Sequence, residues 1–571
     1  MKKKNNVKQV FKKATALSLA VIMAFGLSAC GNKSNEADNT PAPAQEEAPA
    51  QSDSSDANVD SEADSSSKIT FPLAEPVELT IACADLGSAS LSADLPVWQE
   101  IEKRTNVKVN WDVTAAAQYT EVMKLRVTAS GANLPDIMLL PNGLKLAELG
   151  SEGVILPLEQ YIEENGDAIL AAYEKFPRVR ALTSSEGHVY SINSMNEAAY
   201  FSPYGFIIRK DWLDRLNLEV PTTIEEWETV LTAFKEQDAN GNGDPSDEVP
   251  YSAGGSVWYT TYWGNAWGLH MIQSSGWYPD ENGQMQYEYI SDNAREWFTW
   301  MNKMYESGLI DPEFLTLGDE SKMFEKVARN EVGAFTANPS QIPTLEATLK
   351  ANGVEDAVLI PVVVPKGPHA QSTEVIGDMA VDGYMVTSSC QNPEIAVAFI
   401  NYLISDEGAE LLNFGIEGET YTKNADGTYT FTDAVLNDPD GKSPKEVLET
   451  YGCWVDGPTI KLEAREAALL ATYPESTAQA ILQYTDQTKP FAVPGLTLPA
   501  ETAEESDSIS GLNGDLKTYI YEMAGRFVVG TADIETEWDA YVQNAKDLNV
   551  EKIQAVKQAQ YDRFVQEMGD N

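Results

Sequence analysis

The chain has 571 residues, of which 43% are hydrophobic, enough to build more than one buried core. Its 88 acidic and 40 basic residues give a formal net charge of −48. A surface with this charge repels the phosphates of nucleic acids and of anionic lipids. The composition therefore excludes a nucleic-acid-binding protein and remains compatible with a cationic metal.

The N-terminal residues 1–29 have the features of a secretory signal peptide. MKKKNNVKQVFKK carries six lysines and no acid, and the fourteen-residue run ATALSLAVIMAFGL that follows is mostly apolar. That run is shorter than the roughly 20 residues of a membrane-spanning helix. It ends in LSAC, which resembles a bacterial lipobox and predicts that Cys30 carries acyl chains such as palmitate. The alternative is an ordinary signal peptide with a chance cysteine.

Residues 30–70 are rich in Ser, Ala, Pro and acids and contain almost no large apolar side chains. Such a segment cannot bury a core, and we predict a disordered acidic tether. The remaining cysteines, Cys83, Cys390 and Cys453, are far apart and form no CxxC pair. We expect buried thiols, with one bridge among the three left open.

From residue 77 onward the patterns of strands and helices alternate. VELTIACA is typical of a strand, and LPVWQEIEKRTNVKVNWDV is typical of an amphipathic helix followed by a second strand. Similar pairs recur along the chain, which predicts the α/β class. About 500 ordered residues exceed the size of a single core, so at least two lobes are expected.

Several stretches, in this order, resemble the extracellular solute-binding lipoproteins of ABC transporters, in particular those that bind maltose and oligosaccharides. They are LPVWQEIEKRTNVKVNWD, ANLPDIMLLPNGLKLAELGSEGVILPLEQYI, FIIRKDWLDRLNLEVPTTIEEWETVLTAFKEQDANGNGDPSDEVPYS and PEIAVAFINYLISDEGAELLNFGIEGETY. The resemblance covers essentially residues 71–571.

The resemblance implies a two-lobed periplasmic-binding-protein-like fold with an interlobe cleft and several hinge crossings. The first lobe would hold residues 71–199 plus 373–425, and the second would hold 200–372 plus 426–571. The protein would be a monomeric, non-enzymatic receptor. It would be lipid-anchored on the outer face of a bacterial, Gram-positive cell membrane and would deliver an oligosaccharide to an ABC permease.

The run VWYTTYWGNAWG suggests a sugar-binding surface. Tyr259, Trp263 and Trp267 are spaced four residues apart and share one face of a helix, with Trp258 beside them. Flat aromatic faces suit the C–H surface of a sugar ring. The alternative is a helix that packs its aromatic stripe into the core.

Further candidates for the cleft are polar or aromatic residues near the predicted crossings. Asp85 follows the first strand, at the end where open α/β sheets place ligands, although it could instead cap a helix. The resemblance places Asp382 on a strand that crosses between the lobes, and it places Glu417 where the chain passes from the first lobe to the second. The other candidates are Tyr200, Trp454 and Asn338, the last standing where many maltose-type relatives have a tryptophan.

Residues 238–248, DANGNGDPSDE, open like an EF-hand loop but lack the glutamate at the twelfth position, which here is Val249. In several oligosaccharide-binding relatives a loop like this holds a structural Ca²⁺ away from the cleft. The expected ligands are Asp238, Asn240, Asn242, Asp244, Asp247 and Glu248, and the alternative is a polar turn.

Three other functions remain open from the sequence: a peptide-binding receptor, a sensory or adhesive surface lipoprotein, and a glycoside hydrolase. A hydrolase needs two opposed carboxylates, which 88 acids can always supply by chance. The three histidines, His188, His270 and His369, have no zinc-binding spacing. Nothing in the sequence favours an enzyme.

Overall fold

Alternating apolar residues make Val77–Asp85 a buried strand at the heart of a six-stranded sheet, the first sheet. A computed structural model describes residues 68–85, 89–129, 134–141, 144–185, 187–200, 204–271, 275–369, 374–376 and 380–569. The strands of the first sheet lie in the order Ile460–Lys461, Ile192–Asn196, Ala380–Val386, Ile137–Leu139, Val77–Asp85 and Val107–Ala115.

The first sheet has parallel strands at its centre. Val77–Asp85 pairs in parallel with both Val107–Ala115 and Ile137–Leu139, so the carboxyl ends of these three strands meet at one edge. Ala380–Val386 runs antiparallel to Ile137–Leu139, and its first residues extend beyond that edge. Ile192–Asn196 pairs antiparallel with Ala380–Val386 and extends past the same edge. These two strands are the crossings toward the second lobe.

The second sheet has four strands, in the order Leu359–Val362, Gly205–Arg209, Val332–Ala337 and Val249–Ser252. Its strands are almost wholly buried, which explains their continuous apolar sequences. Four two-stranded pairs complete the β-structure: Ser184–Ser185 with His188–Val189, Trp277–Pro279 with Met285–Tyr287, Glu374–Ile376 with Ala492–Pro494, and Tyr421–Lys423 with Tyr429–Phe431.

Helices surround both sheets, which confirms the α/β class and the two-lobed fold. None of the described helices is both long and apolar enough to cross a bilayer. In chain order the helices are Pro96–Thr105, Ala116–Thr128, Leu146–Ser151, Glu159–Asn165, Asp167–Lys175, Pro177–Thr183, Lys210–Arg215, Ile224–Glu236, Val257–Gly264, Asp292–Glu306, Glu320–Ala328, Ile342–Ala351, Pro393–Ile404, Asp406–Phe414, Asp433–Leu436, Pro444–Tyr451, Glu463–Leu470, Glu475–Thr488, Ala503–Ser508, Leu512–Val528, Ile534–Asp547 and Val550–Gly569.

The core of the first sheet extends further along the chain than the expected lobe boundary at residue 425. Phe431, Leu448 and Trp454 are buried in the same cluster as the strand Val77–Asp85. Ile460–Lys461 then pairs in parallel with Ile192–Asn196 at the edge of the first sheet. The chain therefore makes its third crossing between the two sheets only after residue 470, because residues 426–470, including the buried Ala468, pack on the first core.

The three cysteines of the described residues are buried and unbridged, as expected for structural thiols. Burial, together with the carboxylates of Asp85 and Asp112, raises the pKa of Cys83 to about 12. Burial likewise raises the pKa of Cys390 and of Cys453 to about 12.

Two tryptophans expected in the cleft lie instead in the core of the second sheet. Trp263 is 1% exposed, with its ring centroid 4.3 Å from that of Phe206 and 5.1 Å from that of Trp227. Trp267 is 3% exposed, and its ring lies 5.2 Å from that of Trp300. Trp263 lies on the helix Val257–Gly264 and Trp267 on the short helix Asn265–Trp267 that follows it, and burial of both rings removes their apolar area from water.

Because Trp263 fills a closely packed core, Trp263→Ala should lower the free energy of unfolding by about 3 to 5 kcal/mol. Trp258→Ala, on the same helix but at a half-buried position, should cost only about 1 to 2 kcal/mol. Urea unfolding followed by circular dichroism measures both. Equal losses in the two variants would contradict the placement of Trp263 in the core.

Residues 495–506, which we call the strap, also link the two sheets, and Leu496 of the strap is buried in the core of the second sheet. The carbonyl of Gly495 accepts a hydrogen bond from Arg178, and Ser506 donates to Glu148 at 2.8 Å. Glu501 lies 2.9 Å from Lys145 and 3.2 Å from Lys557. Although burial opposes ionisation, the ammonium groups of Lys557 and Lys145 lower the pKa of Glu501.

A carboxyl whose pKa is lower in the folded state contributes stability above its unfolded pKa, and this is lost as the pH falls through the folded pKa. We therefore expect Glu501→Gln to destabilise the protein at pH 7, by on the order of 1 to 3 kcal/mol for a partly buried pair. The difference from the wild type should begin to shrink as the pH falls below the unfolded pKa of about 4.3 and should vanish below the lowered pKa of the folded state.

Melting temperatures of both proteins between pH 7 and pH 3 measure this effect. Glu504→Gln removes the same charge from an exposed position nearby and is the matched control. A pH-independent difference between Glu501→Gln and the wild type would show that the two lysines do not stabilise the Glu501 carboxylate.

Candidate functional site

Asp85 and Trp454 line one cavity at the carboxyl end of the strand Val77–Asp85. We call it the Asp85 pocket. Its enclosed space is about 50 Å³, and its other polar lining groups include Lys445, Glu449, Asp456 and Arg465. An opening at the carboxyl ends of parallel strands is where open α/β sheets bind ligands.

Aromatic packing fixes the position of Trp454. Its ring centroid lies 5.3 Å from that of Trp111, 6.4 Å from that of Trp98 and 5.7 Å from that of Tyr384. The hydroxyl of Tyr384 also donates to the Asp456 carbonyl at 2.7 Å. Trp454 is only 7% exposed, so most of its surface stabilises the first core and only a small part faces the pocket.

Three charged side chains of the Asp85 pocket have polar neighbours. Asp85 accepts a hydrogen bond of 2.7 Å from Ser90. Lys445 lies 3.9 Å from Glu449. Arg465 is 5% exposed and lies 2.9 Å from Glu466. The Nε of Arg465 is itself buried and has no hydrogen-bond partner among the described residues.

A second cavity, of about 410 Å³, lies under the strap at the same edge of the first sheet. Leu140, directly after the strand Ile137–Leu139, and Gly383 line one side, while Pro499 and Glu501 of the strap line the other. We call it the strap pocket. Its polar lining includes Lys145 and Asn193.

A third cavity, of about 380 Å³, lies beyond the strand Val249–Ser252 of the second sheet, and we call it the second-sheet pocket. Ser256 lines it and also caps the helix Val257–Gly264 by accepting from the Trp258 amide at 3.1 Å. Tyr521, Glu522 and Arg526 line the opposite side. Burial raises the pKa of Tyr521, so its hydroxyl stays protonated at neutral pH.

The remaining aromatic and crossing-strand candidates are described only in part. Trp258 is half-buried beside Tyr204 and Tyr262, with ring centroids 6.4 Å and 6.0 Å away. The structure gives the backbone of Tyr200, Tyr259 and Asp382, but their side chains lie outside the described residues. The prediction that these three line the cleft stays untested.

Two polar candidates have local structural partners. The Asn338 side chain caps the short helix Pro339–Gln341 by accepting from the Ser340 amide at 2.9 Å. Glu417 is exposed in the turn that precedes the hairpin strand Tyr421–Lys423, and that hairpin packs on the first core. Glu417 is therefore not at a crossing between lobes, because the chain makes its third crossing between the sheets only after residue 470.

The sequence reasoning missed Arg465, Lys445 and Glu449 as lining groups of the Asp85 pocket. All three lie on helices, Pro444–Tyr451 and Glu463–Leu470, whose own periodicity gives no hint that they face a cavity. Asp456 was detectable in principle, because it follows the candidate Trp454 by two residues.

The acidic loop 238–248 joins the helix Ile224–Glu236 to the strand Val249–Ser252, away from the three cavities. Its turns need positive φ at Gly241 and Gly243. Asn240 and Asn242 donate from their side-chain amides to the two oxygens of Asp247, at 2.9 Å and 2.7 Å.

The loop leaves two carboxylate oxygens without a partner. Asp238 Oδ1 and Glu248 Oε2 are buried and accept no hydrogen bond from the described residues. Burial raises the pKa of Glu248, because its charge is poorly compensated. Buried carboxylate oxygens that lack donors fit a hard cation, which prefers oxygen ligands. In the described residues, however, no three His, Cys, Asp or Glu side chains are already gathered as a metal site.

The chain is similar to proteins of known type. The fructooligosaccharide ABC transporter substrate-binding protein FusA of Streptococcus pneumoniae is 26% identical over 532 residues, covering 87% of this chain and 92% of the relative. A crystal structure of the alginate-binding protein AlgQ2 without calcium ion has a TM-score of 0.69 at 27% identity, covering 87% of this chain and all of that one.

A structure of FusA in complex with kestose has the same fold, with a TM-score of 0.67, 22% identity and coverage of 85% of this chain and 99% of that one. The family model of the bacterial extracellular solute-binding proteins matches residues 87–410, which is more than half of the chain. The chain therefore belongs to the bacterial extracellular solute-binding proteins.

Proposed function

We propose that this protein captures an oligosaccharide outside the cell, in the cleft between its lobes, and delivers it to the permease of an ABC transporter. The observation that carries the proposal is the similarity to FusA along nearly the whole of both chains. The Asp85 pocket supports it, since a carboxylate, a guanidinium and an indole are the groups that proteins use to hold sugar hydroxyls and ring faces.

Closure of the cleft is the mechanism that this geometry favours. Groups on the first sheet, such as Asp85 and Trp454, would hold one side of the solute, and groups at the second-sheet pocket would hold the other. A solute that contacts both lobes binds the closed form more tightly, and that difference in affinity shifts the population toward closure. The crossing strands then act as the hinge.

The lobes that we propose differ from the expected ones at one boundary. The first lobe holds residues 71–199 and 380–470, and the second holds 205–369 together with most of the chain after residue 475. Burial of Phe431, Leu448 and Trp454 in the first core supports this division. The strap returns from the second lobe to the first.

The proposal extends to the N-terminus, whose residues 1–67 lie outside the described ones. Cys30 would carry the acyl chains that hold the protein on the outer face of the membrane, and residues 30–70 would tether the lobes to it. The protein would act as a monomer and would release its solute unchanged. Recovery of an intact glycan after incubation distinguishes this receptor from a hydrolase.

The loop 238–248 would hold a structural Ca²⁺. The unpartnered oxygens of Asp238 and Glu248 support this, as does the position of Asp247 between the two asparagine side chains. Rotating each of those amides by half a turn would offer its oxygen to a cation. The ion would then fix the end of the helix Ile224–Glu236 to the next strand and stabilise the second lobe.

Thermal unfolding with a panel of oligosaccharides and peptides tests the proposed function. A solute at 100 times its Kd adds about 2.7 kcal/mol to the stability of the folded state, which raises the melting temperature by a few degrees. We expect an oligosaccharide to do so and to be recovered intact. Stabilisation by peptides alone, or cleavage of the glycan, would contradict the proposal.

With a stabilising oligosaccharide in hand, Asp85→Asn should weaken its binding at least about tenfold, because a hydrogen bond to a charged group is worth roughly 1.5 to 3 kcal/mol. Titration calorimetry measures this. Asp94→Asn changes an exposed carboxylate in the loop after the same strand and should bind as the wild type does. Unchanged affinity of Asp85→Asn would remove Asp85 from the site.

The calcium site predicts that Ca²⁺ raises the melting temperature and that a chelator reverses the increase. The double variant Asp238→Asn, Glu248→Gln should lose this response, since it removes the two buried charges that a cation would balance. Asp426→Asn, in an exposed turn where Asp426 accepts from Thr428, should keep it. Identical melting curves with calcium and with chelator would show that the loop is only a turn.

A further inference from the structure

The three cavities share an electrostatic property that narrows the class of solute. Each of their described lysines and arginines lies within 4.0 Å of a carboxylate. We infer that the solute is an uncharged glycan and that the protein rejects glycans built of uronic acids. This inference rests on the proposed function and names the substrate class of the same site.

In the Asp85 pocket the carboxylates outnumber the cations. Lys445 and Arg465 face Asp85, Glu449 and Asp456 around one enclosed space. Both cations already have a partner, Glu449 for Lys445 and Glu466 for Arg465. A uronate carboxylate placed here would be left without an unshared cation and would lie near two further negative charges.

The two larger cavities offer no unshared cation either. Lys145 of the strap pocket lies 2.9 Å from Glu501. Arg526 of the second-sheet pocket lies 3.7 Å from Glu537, and Glu522 lines the same cavity. Carboxylates are bound in proteins by bidentate arginines or clustered cations, and the described lining of these cavities has neither arrangement free.

The charge of the whole chain acts in the same direction. A formal net charge of −48 produces a negative potential around the protein, and a polyuronate approaching the cleft would be repelled before any contact. The repulsion weakens as salt shortens the distance over which charges interact. An uncharged glycan carries no net charge and is not repelled by this potential.

The enclosed part of the Asp85 pocket suits a single hydroxyl or hydroxymethyl group. Its volume of about 50 Å³ is too small for a sugar ring. A hydroxyl donates one hydrogen bond and accepts others, so it can donate to Asp85 and accept from the guanidinium of Arg465, which lines the same space. Arg465 is thus assigned as a specificity-determining residue that donates a hydrogen bond to a neutral hydroxyl of the glycan.

The experiment compares neutral and acidic oligosaccharides of matched linkage and length. Gluco-, fructo-, galacto- and manno-oligosaccharides are tested beside oligomers of galacturonate, mannuronate and guluronate, by thermal shift and then by calorimetry. We expect a neutral glycan to bind and the uronates to cause no shift at a tenfold higher concentration, at both low and high salt.

A uronate that binds as tightly as any neutral glycan would overturn this inference and leave the proposed function standing. If neither the neutral nor the acidic glycans bind, both the inference and the proposed function are wrong. For the residue itself, Arg465→Lys keeps the charge beside Glu466 but loses the planar guanidinium with its several donors, and it should weaken binding of the neutral glycan about tenfold.

Lys461→Gln is the matched control, because Lys461 also pairs with Glu466, at 3.5 Å, but does not line the pocket. It should bind within twofold of the wild type. Equal binding by Arg465→Lys and the wild type would overturn the assignment of Arg465, and the melting temperatures of both variants show that the comparison is made on folded proteins.

Discussion

The parallel pairing of three strands in the first sheet is the constraint on which the rest of the molecule depends. Because Val77–Asp85 is in register with Val107–Ala115 and Ile137–Leu139, their carboxyl ends form one edge. Asp85 stands at that edge, and the strap pocket opens beside it. The crossing strands extend past it too, so under the proposed mechanism closure of the lobes would change the space around Asp85.

Much of the fold could be predicted from local sequence. Alternating and continuous apolar runs located the strands, and the helix Pro96–Thr105 followed from its periodicity. The position of Asp85 at the carboxyl end of a parallel strand could be predicted, because the apolar run VELTIACA ends just before it, while its contact with a solute stays a prediction. The acidic loop was also placed correctly between a helix and a strand, since its glycines and acids are consecutive in the chain.

The misplaced features depend on contacts that no local pattern encodes. Periodicity put Trp263 and Trp267 on one helical face but could not say whether that face met the core or the cleft, and packing against Phe206 and Trp300 decided it. The third crossing between the sheets follows a two-residue strand, Ile460–Lys461, which is too short to have a sequence signal. Arg465 faces its pocket through the packing of its helix.

The buried thiols have a practical consequence. At neutral pH a thiol with a pKa of about 12 is almost entirely protonated, and the protonated form does not react with maleimides or other alkylating dyes. If Cys30 is acylated or replaced, the folded chain should therefore react very little with such labels. A single cysteine introduced at the rim of the cleft would carry a fluorophore without further engineering and would report closure of the lobes as an optical signal.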